Sequence, residues 1–438
     1  MGRTMISAIQ WMAFMLASSI VAPIAVSELY GLSPGETATF IQRTMFLLGV
    51  AGILQGIIGH RLPINEGPAG IWWGVFAVYA SFIGTVYDSA TTTLQALQGA
   101  LIVSGIVFIL FSVLGWMERL KKWFTPTVTF VYLMLLILQL SGSFMNGMLG
   151  ITTTGKMSWT VSIGSMTIVL LTFYFAQHSI FWIRQFSILF SLVIGWLLFV
   201  WLGEAPAIPS TEQASIRLPE IFVFGPPLFD IGSIVTAIFV TLLLATNMMA
   251  SIRVMEEVVP LTSKNSQRDR QAGWTAGINQ MIGGFLSAIG PVPISGAAGF
   301  VSTTNVQQLR PFILGCGLLV FVSMVPFVMN VLSAIPSPVG YAVTFVIFTK
   351  MIGLAFHELK KEANQDRALF IIGVSLLAGV GVMFVPAEAF RDMPVLFPAF
   401  LNNGLIFGTV LAMLMEQTPR LKRLFHRKSY EKKEISEK

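Results

Sequence analysis

Residues 61–80 read RLPINEGPAGIWWGVFAVYA. A glutamate, two prolines and three glycines are crowded into the head and first turns of a run that is otherwise apolar. Proline removes a backbone donor and holds its predecessor extended. Glycine lets main chains approach closely. The stretch therefore reads as half extended and half helical. Its meaning depends on the solvent around it.

That solvent is lipid. The chain is 55% hydrophobic and 11% charged over 438 residues, with a mean hydropathy of +0.76. Soluble domains carry about 25% charged residues. Apolar runs of near-membrane length recur from end to end, which predicts an all-α polytopic membrane protein. The expected segments are 5–29, 38–59, 67–86, 91–116, 126–149, 158–177, 181–203, 230–254, 271–290, 297–306, 309–334, 338–357, 367–386 and 397–417. The first is too long for a removable signal peptide. The longest polar connection, 204–229, divides them seven and seven. The expected organisation is a first repeat over 1–203, an extracytoplasmic linker over 204–229, a second repeat over 230–417 and a basic tail over 418–438.

Charge supports this alternation. Loops numbered from a cytoplasmic N-terminus put Arg3, Arg61, Arg119, Lys121, Lys122, Arg184, Arg253, Lys264, Arg268, Arg270, Arg310, Lys360, Lys361, Arg367 and the tail from Arg420 on one side. The other side holds Arg43, Lys156, Arg217 and Arg391. Positive charge inside is the rule for membrane proteins, so both termini are expected in the cytoplasm of a cell-membrane protein. The net charge of +6 comes largely from these loops and the tail and gives no reason to expect a nucleic-acid partner. One cysteine, Cys316, excludes a disulfide framework and a Cys-rich metal site. No nucleotide-binding, metalloenzyme or nucleophile–base pattern appears, so neither an enzyme nor a cofactor or metal site is expected.

The seven-plus-seven division makes the third and tenth segments counterparts. Gly67-Pro68-Ala69-Gly70 aligns with Gly296-Ala297-Ala298-Gly299, and each follows a Pro-Ile pair, Pro63-Ile64 and Pro293-Ile294. Irregular backbone at membrane depth is tolerated only where protein buries it or where it lines a wet cavity. Two broken segments in corresponding halves point to a midplane site in a secondary transporter. If their short extended pieces pair, each satisfies the other's backbone, and the helix N-termini that follow aim positive dipole ends at a ligand.

At these residues the chain resembles the nucleobase–ascorbate transporter family, the xanthine/uracil permease-like nucleobase:cation symporters. That family's tenth-segment signature is Gln or Glu, Asn, any residue, Gly, four residues, Thr, and a basic residue or Gly. Here Gly299 and Thr304 match, while Gly296, Ala297 and Asn305 replace the acid or amide, the asparagine and the basic end. The eighth-segment Glu-x-x-Gly-His/Asp aligns with Asn247, Ala250 and Ser251, so the familiar pocket acids are absent. The resemblance implies two inverted seven-segment repeats. A core of segments 1–4 and 8–11 would move against a gate of segments 5–7 and 12–14. It also implies uptake of a nucleobase, a purine such as xanthine, guanine or hypoxanthine, with a proton or sodium, and a homodimer, common in that family. A sulfate/bicarbonate-type anion carrier of similar fold is the alternative.

The candidate substrate contacts are Glu66, Ala69, Gly70, Asn247, Ser251, Ser295, Gly296 and Ala297. Glu66 is the one acid positioned for the pocket. A carboxylate at the bilayer centre costs about 2.5–3.5 kcal/mol on insertion scales, which marks it as functional by default, and it is the candidate proton carrier. The competing reading is a surface ion pair with Arg61. Asn247 offers donors and an acceptor to a base edge, or an interhelical bond, and Ser251 lies one turn on. Ser295, Gly296 and Ala297 would present backbone donors, with Ala69 and Gly70 as their counterparts. Trp72 and Trp73 are read as packing residues first, and Lys350 as a snorkelling lysine.

Overall fold

The computed structural model describes residues 2–116, 123, 125–151, 155–180, 183–184, 186–208, 215–259, 267–386, 389 and 403–418. The basic tail beyond Thr418, Arg119, Lys121, Lys122, Lys264 and Arg391 lie outside them, as do parts of the linker and of the last expected segment.

The first half runs α1 (Gly2–Ser19), α2 (Val21–Leu29), α3 (Pro34–Ile57), β1 (Glu66–Pro68), α4 (Gly70–Ala80), α5 (Ala90–Val113), α6 (Pro126–Met148), α7 (Trp159–Ala176) and α8 (Ser187–Trp201). The second runs α9 (Ile231–Val258), α10 (Arg268–Phe285), β2 (Pro291–Pro293), α11 (Gly296–Thr304), α12 (Leu309–Ser323), α13 (Pro326–Ser333), α14 (Ser337–Leu359) and α15 (Gln365–Met383). A last helix, α16, covers Gly404–Thr418. Local chemistry sets many of the starts. Ser33 and Glu36 form a capping box ahead of α3, with Pro34 in its first turn. Ser89, Thr125 and Asp230 cap α5, α6 and α9 through their side-chain oxygens.

Among the described residues eight helices are long and apolar enough to cross a membrane, or nine if α12 and α13, bent by 84°, count as one. This falls short of the expected fourteen for physical reasons. α4, α8 and α16 are apolar but short. α10 carries Arg268, Asp269, Arg270 and Gln271 in its first turn and polar residues along its length. It is packed between α5 and α3, so few of its faces need suit lipid. The tenth segment is split into β2 and α11.

α10 lies against α5, and α12 against α3; α1 packs on α12, and α9 on α5. α14 packs on α6, α7 and α8, and α15 on α6. The α5–α10 crossing is close enough for backbones to touch. A Cβ at Gly277 would lie 2.6 Å from the Gly105 carbonyl oxygen, and one at Gly105 2.5 Å from that of Gly277. Small residues at such crossings are how helices associate where lipid is as apolar as leucine.

The described end of the mid-chain linker is stitched to helix ends. Arg217 N–H donates to Met324 O, and the Gln42 amide to Arg217 O. Phe222 N–H donates to Phe285 O, and Leu228 N–H to Gln95 O. Gln95 and Gln98 donate to Phe224 O and Gly225 O at 2.7 and 3.0 Å. Beneath it the buried Arg43 guanidinium sits over Phe40 and Phe224, 5.7 and 5.5 Å from the ring centres.

Candidate functional site

β1 and β2 form one antiparallel pair, with Glu66 opposite Pro293, Gly67 opposite Val292 and Pro68 opposite Pro291. The ladder is flanked by Ala69 N–H to Gly290 O at 2.9 Å and Ile294 N–H to Asn65 O at 3.0 Å. The extended pieces expected in the third and tenth segments thus meet. The helices that follow them start three residues out of step with the sequence alignment. Gly70 and Gly296 both open helices, whereas Gly67 lies inside a strand. Gly67 answers a steric need of its own, because a Cβ there would lie 2.0 Å from Ile294 Cδ1.

Proline cannot donate to a ladder, so this pair is held from outside as well. The Gln280 amide donates to Pro291 O at 2.6 Å, and Ser251 Oγ to Pro293 O at 2.8 Å. Gln280 in turn accepts the Trp72 indole N–H at 2.9 Å. A buried chain of bonds therefore runs from α4 through α10 to β2. Trp72 is a packing residue, as expected, and a hydrogen-bonding one.

The predicted contacts divide by what their polar groups already do. Ser251 Oγ, Ala69 N–H and Ala297 N–H are bonded to Pro293 O, Gly290 O and Ile294 O. Glu66 is 2% exposed, with Oε1 lacking a partner. Arg61 is exposed and forms no salt bridge with it, so the surface-pair reading does not describe this structure. Asn247 is half-buried, and its amide makes no hydrogen bond among the described residues. Ser295 is half-buried, and Gly296 and Gly299 are exposed along one face of α11, which packs on α9.

Sequence reasoning passed over two neighbours. Asn65 is fully buried with both amide atoms unpartnered, and Ser19 is 1% exposed with its hydroxyl unpartnered. A Cβ at Gly67 would lie 3.7 Å from Ser19 Oγ. Buried polar atoms without partners are uncommon and call for a ligand, ion or water. The signal was present in Asn65-Glu66, two polar residues in succession at the break. Trp73 meets Phe144 and Phe348 edge-on, at 5.7 and 6.2 Å between ring centres, and its indole N–H is also unpartnered. Lys350 follows Phe348 by two residues, about 200° round α14, and is exposed, so it faces away from that contact.

The arrangement is a short strand pair followed by two helix N-termini, with buried polar groups around it and, among the described residues, no group of His, Cys, Asp and Glu that could hold a metal. The chain as a whole is similar to known proteins. The family model Xan_ur_permease, described as "Permease family", matches residues 2–388. "Putative purine permease YwdJ" of Bacillus subtilis is 43% identical over 95% of this chain and 96% of its own length. The uric acid permease PucK of the same organism is 24% identical over 94% of each chain. Among solved structures, the transmembrane domain of the cyanobacterial bicarbonate transporter BicA superposes with a TM-score of 0.66 at 14% identity, covering 91% of this chain and 96% of that one. SLC26A9 gives 0.65 at 11%, covering 94% and 64%. These last two speak for the fold alone. With the family match spanning most of the sequence and relatives that are permeases rather than enzymes, the chain belongs to the xanthine/uracil permease family of multi-pass membrane transporters.

Proposed function

We propose that this protein is a secondary active transporter that brings a purine nucleobase such as xanthine, guanine or hypoxanthine across the cell membrane together with a proton. The observation that carries the reading is the β1–β2 pair, which sets the starts of α4 and α11 at one broken level of the fold. Whole-length relatives named as purine, uric acid and xanthine permeases support the substrate class. In this reading Gly70, Ser295 and Gly296 offer backbone donors, and Asn247 reads the amide edge of the base. Ala69, Ser251 and Ala297 shape the cradle through their bonds to the strands. Glu66 carries the coupling proton, since its buried carboxyl has no cation within salt-bridge distance among the described residues.

The reading includes fourteen segments in two inverted repeats, cytoplasmic termini, and a core of segments 1–4 and 8–11 moving against a gate of 5–7 and 12–14. Its support is an exchange of contacts. Shifting each segment by seven turns α3–α12 into α10–α5, α1–α12 into α9–α5, and α14–α7 into α6–α15, and all of these pairs pack. A homodimer is the assembly this reading adopts.

A bicarbonate- or sulfate-type anion carrier is favoured only by the fold of its solved neighbours. The test is uptake into proteoliposomes, with xanthine, uric acid, uracil, sulfate and bicarbonate as competitors. Purine uptake driven by an inward proton gradient is expected, and Glu66→Gln should abolish the dependence on that gradient. Inhibition by sulfate or bicarbonate but not by purines refutes the substrate class. Undiminished proton-driven uptake by Glu66→Gln refutes the role of Glu66.

A further inference from the structure

Near the start of α10 lie two buried hydrogen-bond donors without a partner among the described residues. His60 is 1% exposed and follows the end of α3. Its Nδ1 accepts Leu62 N–H at 3.0 Å. An imidazole nitrogen that accepts carries no proton, so the ring hydrogen sits on Nε2, and Nε2 has no partner. Burial, and then the Arg268 charge, holds this imidazole down to a pKa of about 3, in keeping with a neutral ring.

Arg268 is the second donor. It opens α10, is 7% exposed, and its Nη1 has no partner. Gln55 ties the backbone at His60 to the first turns of α10. Its Oε1 accepts His60 N–H at 3.3 Å, and its Nε2 donates to Ala272 O at 3.1 Å. Ala272 lies one turn beyond Arg268 on the same face of α10. The nearby carboxylates bond guanidinium nitrogens other than Arg268 Nη1. Glu256 bridges Arg253 at 2.7 Å and Arg268 Nε at 3.2 Å, and Asp269 holds Arg253 at 2.6 Å. Arg61 and Arg270 add positive charge with no carboxylate in salt-bridge range among the described residues, against one further acid on this stretch, Glu257.

We propose that His60 Nε2 and Arg268 Nη1 form a binding site for a small monovalent anion of the halide kind, separate from the transport site. Two buried donors without partners, one of them cationic, with excess positive charge around them, suit an acceptor that needs no protons in return. A water molecule would accept both bonds and leave its own two hydrogens to be satisfied. The bound anion joins the His60–Asn65 connection, which leads into β1, to the first turn of α10. Its expected effect is on the stability of that joint, and nothing in it depends on which substrate is carried.

The test uses the purified full-length protein in two measurements. Thermal unfolding in sodium chloride or bromide is compared with sodium gluconate at constant ionic strength. A saturable rise in Tm of at least about 2 °C is expected with the halides, and His60→Leu and Arg268→Lys should each reduce it. A bromide-soaked crystal should give an anomalous peak between His60 Nε2 and Arg268 Nη1, a readout that needs no variant to fold. Equal Tm in halide and gluconate, or ordered water alone at that position, overturns the proposal. Purine uptake that fails while the halide response stands would refute the transport reading and leave this site intact.

Discussion

Replacing Trp72 with phenylalanine should destabilise the protein through a single missing hydrogen. Trp72 is fully buried, and its indole N–H donates to Gln280 Oε1 at 2.9 Å. Phenylalanine keeps an aromatic ring and removes the donor. Gln280 Oε1 is then left buried and unsatisfied, a loss of about 1–3 kcal/mol. The smaller ring leaves unfilled space worth about 1 kcal/mol more. A total of about 2–4 kcal/mol corresponds to a fall in Tm of at least about 4 °C. The same glutamine supports Pro291 O, so the damage should spread to β2. Gln280→Leu alone should cost a similar amount, and the double variant should cost less than the sum by about 1 kcal/mol, because the two residues share one bond. The assay is detergent-solubilised thermal unfolding of the four proteins of the cycle. A Trp72→Phe protein within 1 °C of its parent, or strictly additive variants, would refute the view that this bond anchors the strand pair.

Gly277→Val should disrupt the α5–α10 crossing. Its Cβ would lie 2.6 Å from Gly105 O, and overpacking of this kind costs about 1–3 kcal/mol or more; normal yield and Tm would contradict it. Gln98→Leu strips the donor from Gly225 O and should lower stability by about 1–3 kcal/mol while making the linker easier to cleave, as limited proteolysis would report. His60 makes a pH prediction. Unfolded, it binds a proton below its ordinary value of 6.5; folded, only near 3. The unfolded state therefore holds more protons between these values. Stability present at neutral pH should fall by about 1.4 kcal/mol per unit as pH drops below 6.5. Plots of Tm against pH for wild type and His60→Gln should diverge below pH 6.5, and parallel plots would count against it.

The strand pair was legible because proline and glycine announce broken backbone whatever surrounds them, and because the expected seven-plus-seven order puts a break in each half of the sequence. The offset between Gly67–Gly70 and Gly296–Gly299 was not. Glycine serves close approach in β1 and a helix start in α11, and letters alone do not separate those uses. Ser251 was readable as a polar residue one turn from Asn247, but its bond to Pro293 O depends on a partner 42 residues away. α10 is absent from the helices long and apolar enough to cross a membrane for a related reason. α10 is packed against α5 and α3, so its polar residues, Asn279 and Gln280 among them, face protein.

The stitching of residues 217–228 changes what the mid-chain connection is mechanically. A proline-rich stretch between two halves of a membrane protein suggests slack, yet from Arg217 onward this one is fastened in turn to the ends of α12, α3, α10 and α5. The tether leaving α8 is therefore anchored at Arg217, well before α9 begins. A fluorophore attached near Ile221 would ride with those four helices and report their displacement relative to α8. An insertion there, unlike one in an ordinary surface loop, would unpick bonds that hold the helices to one another.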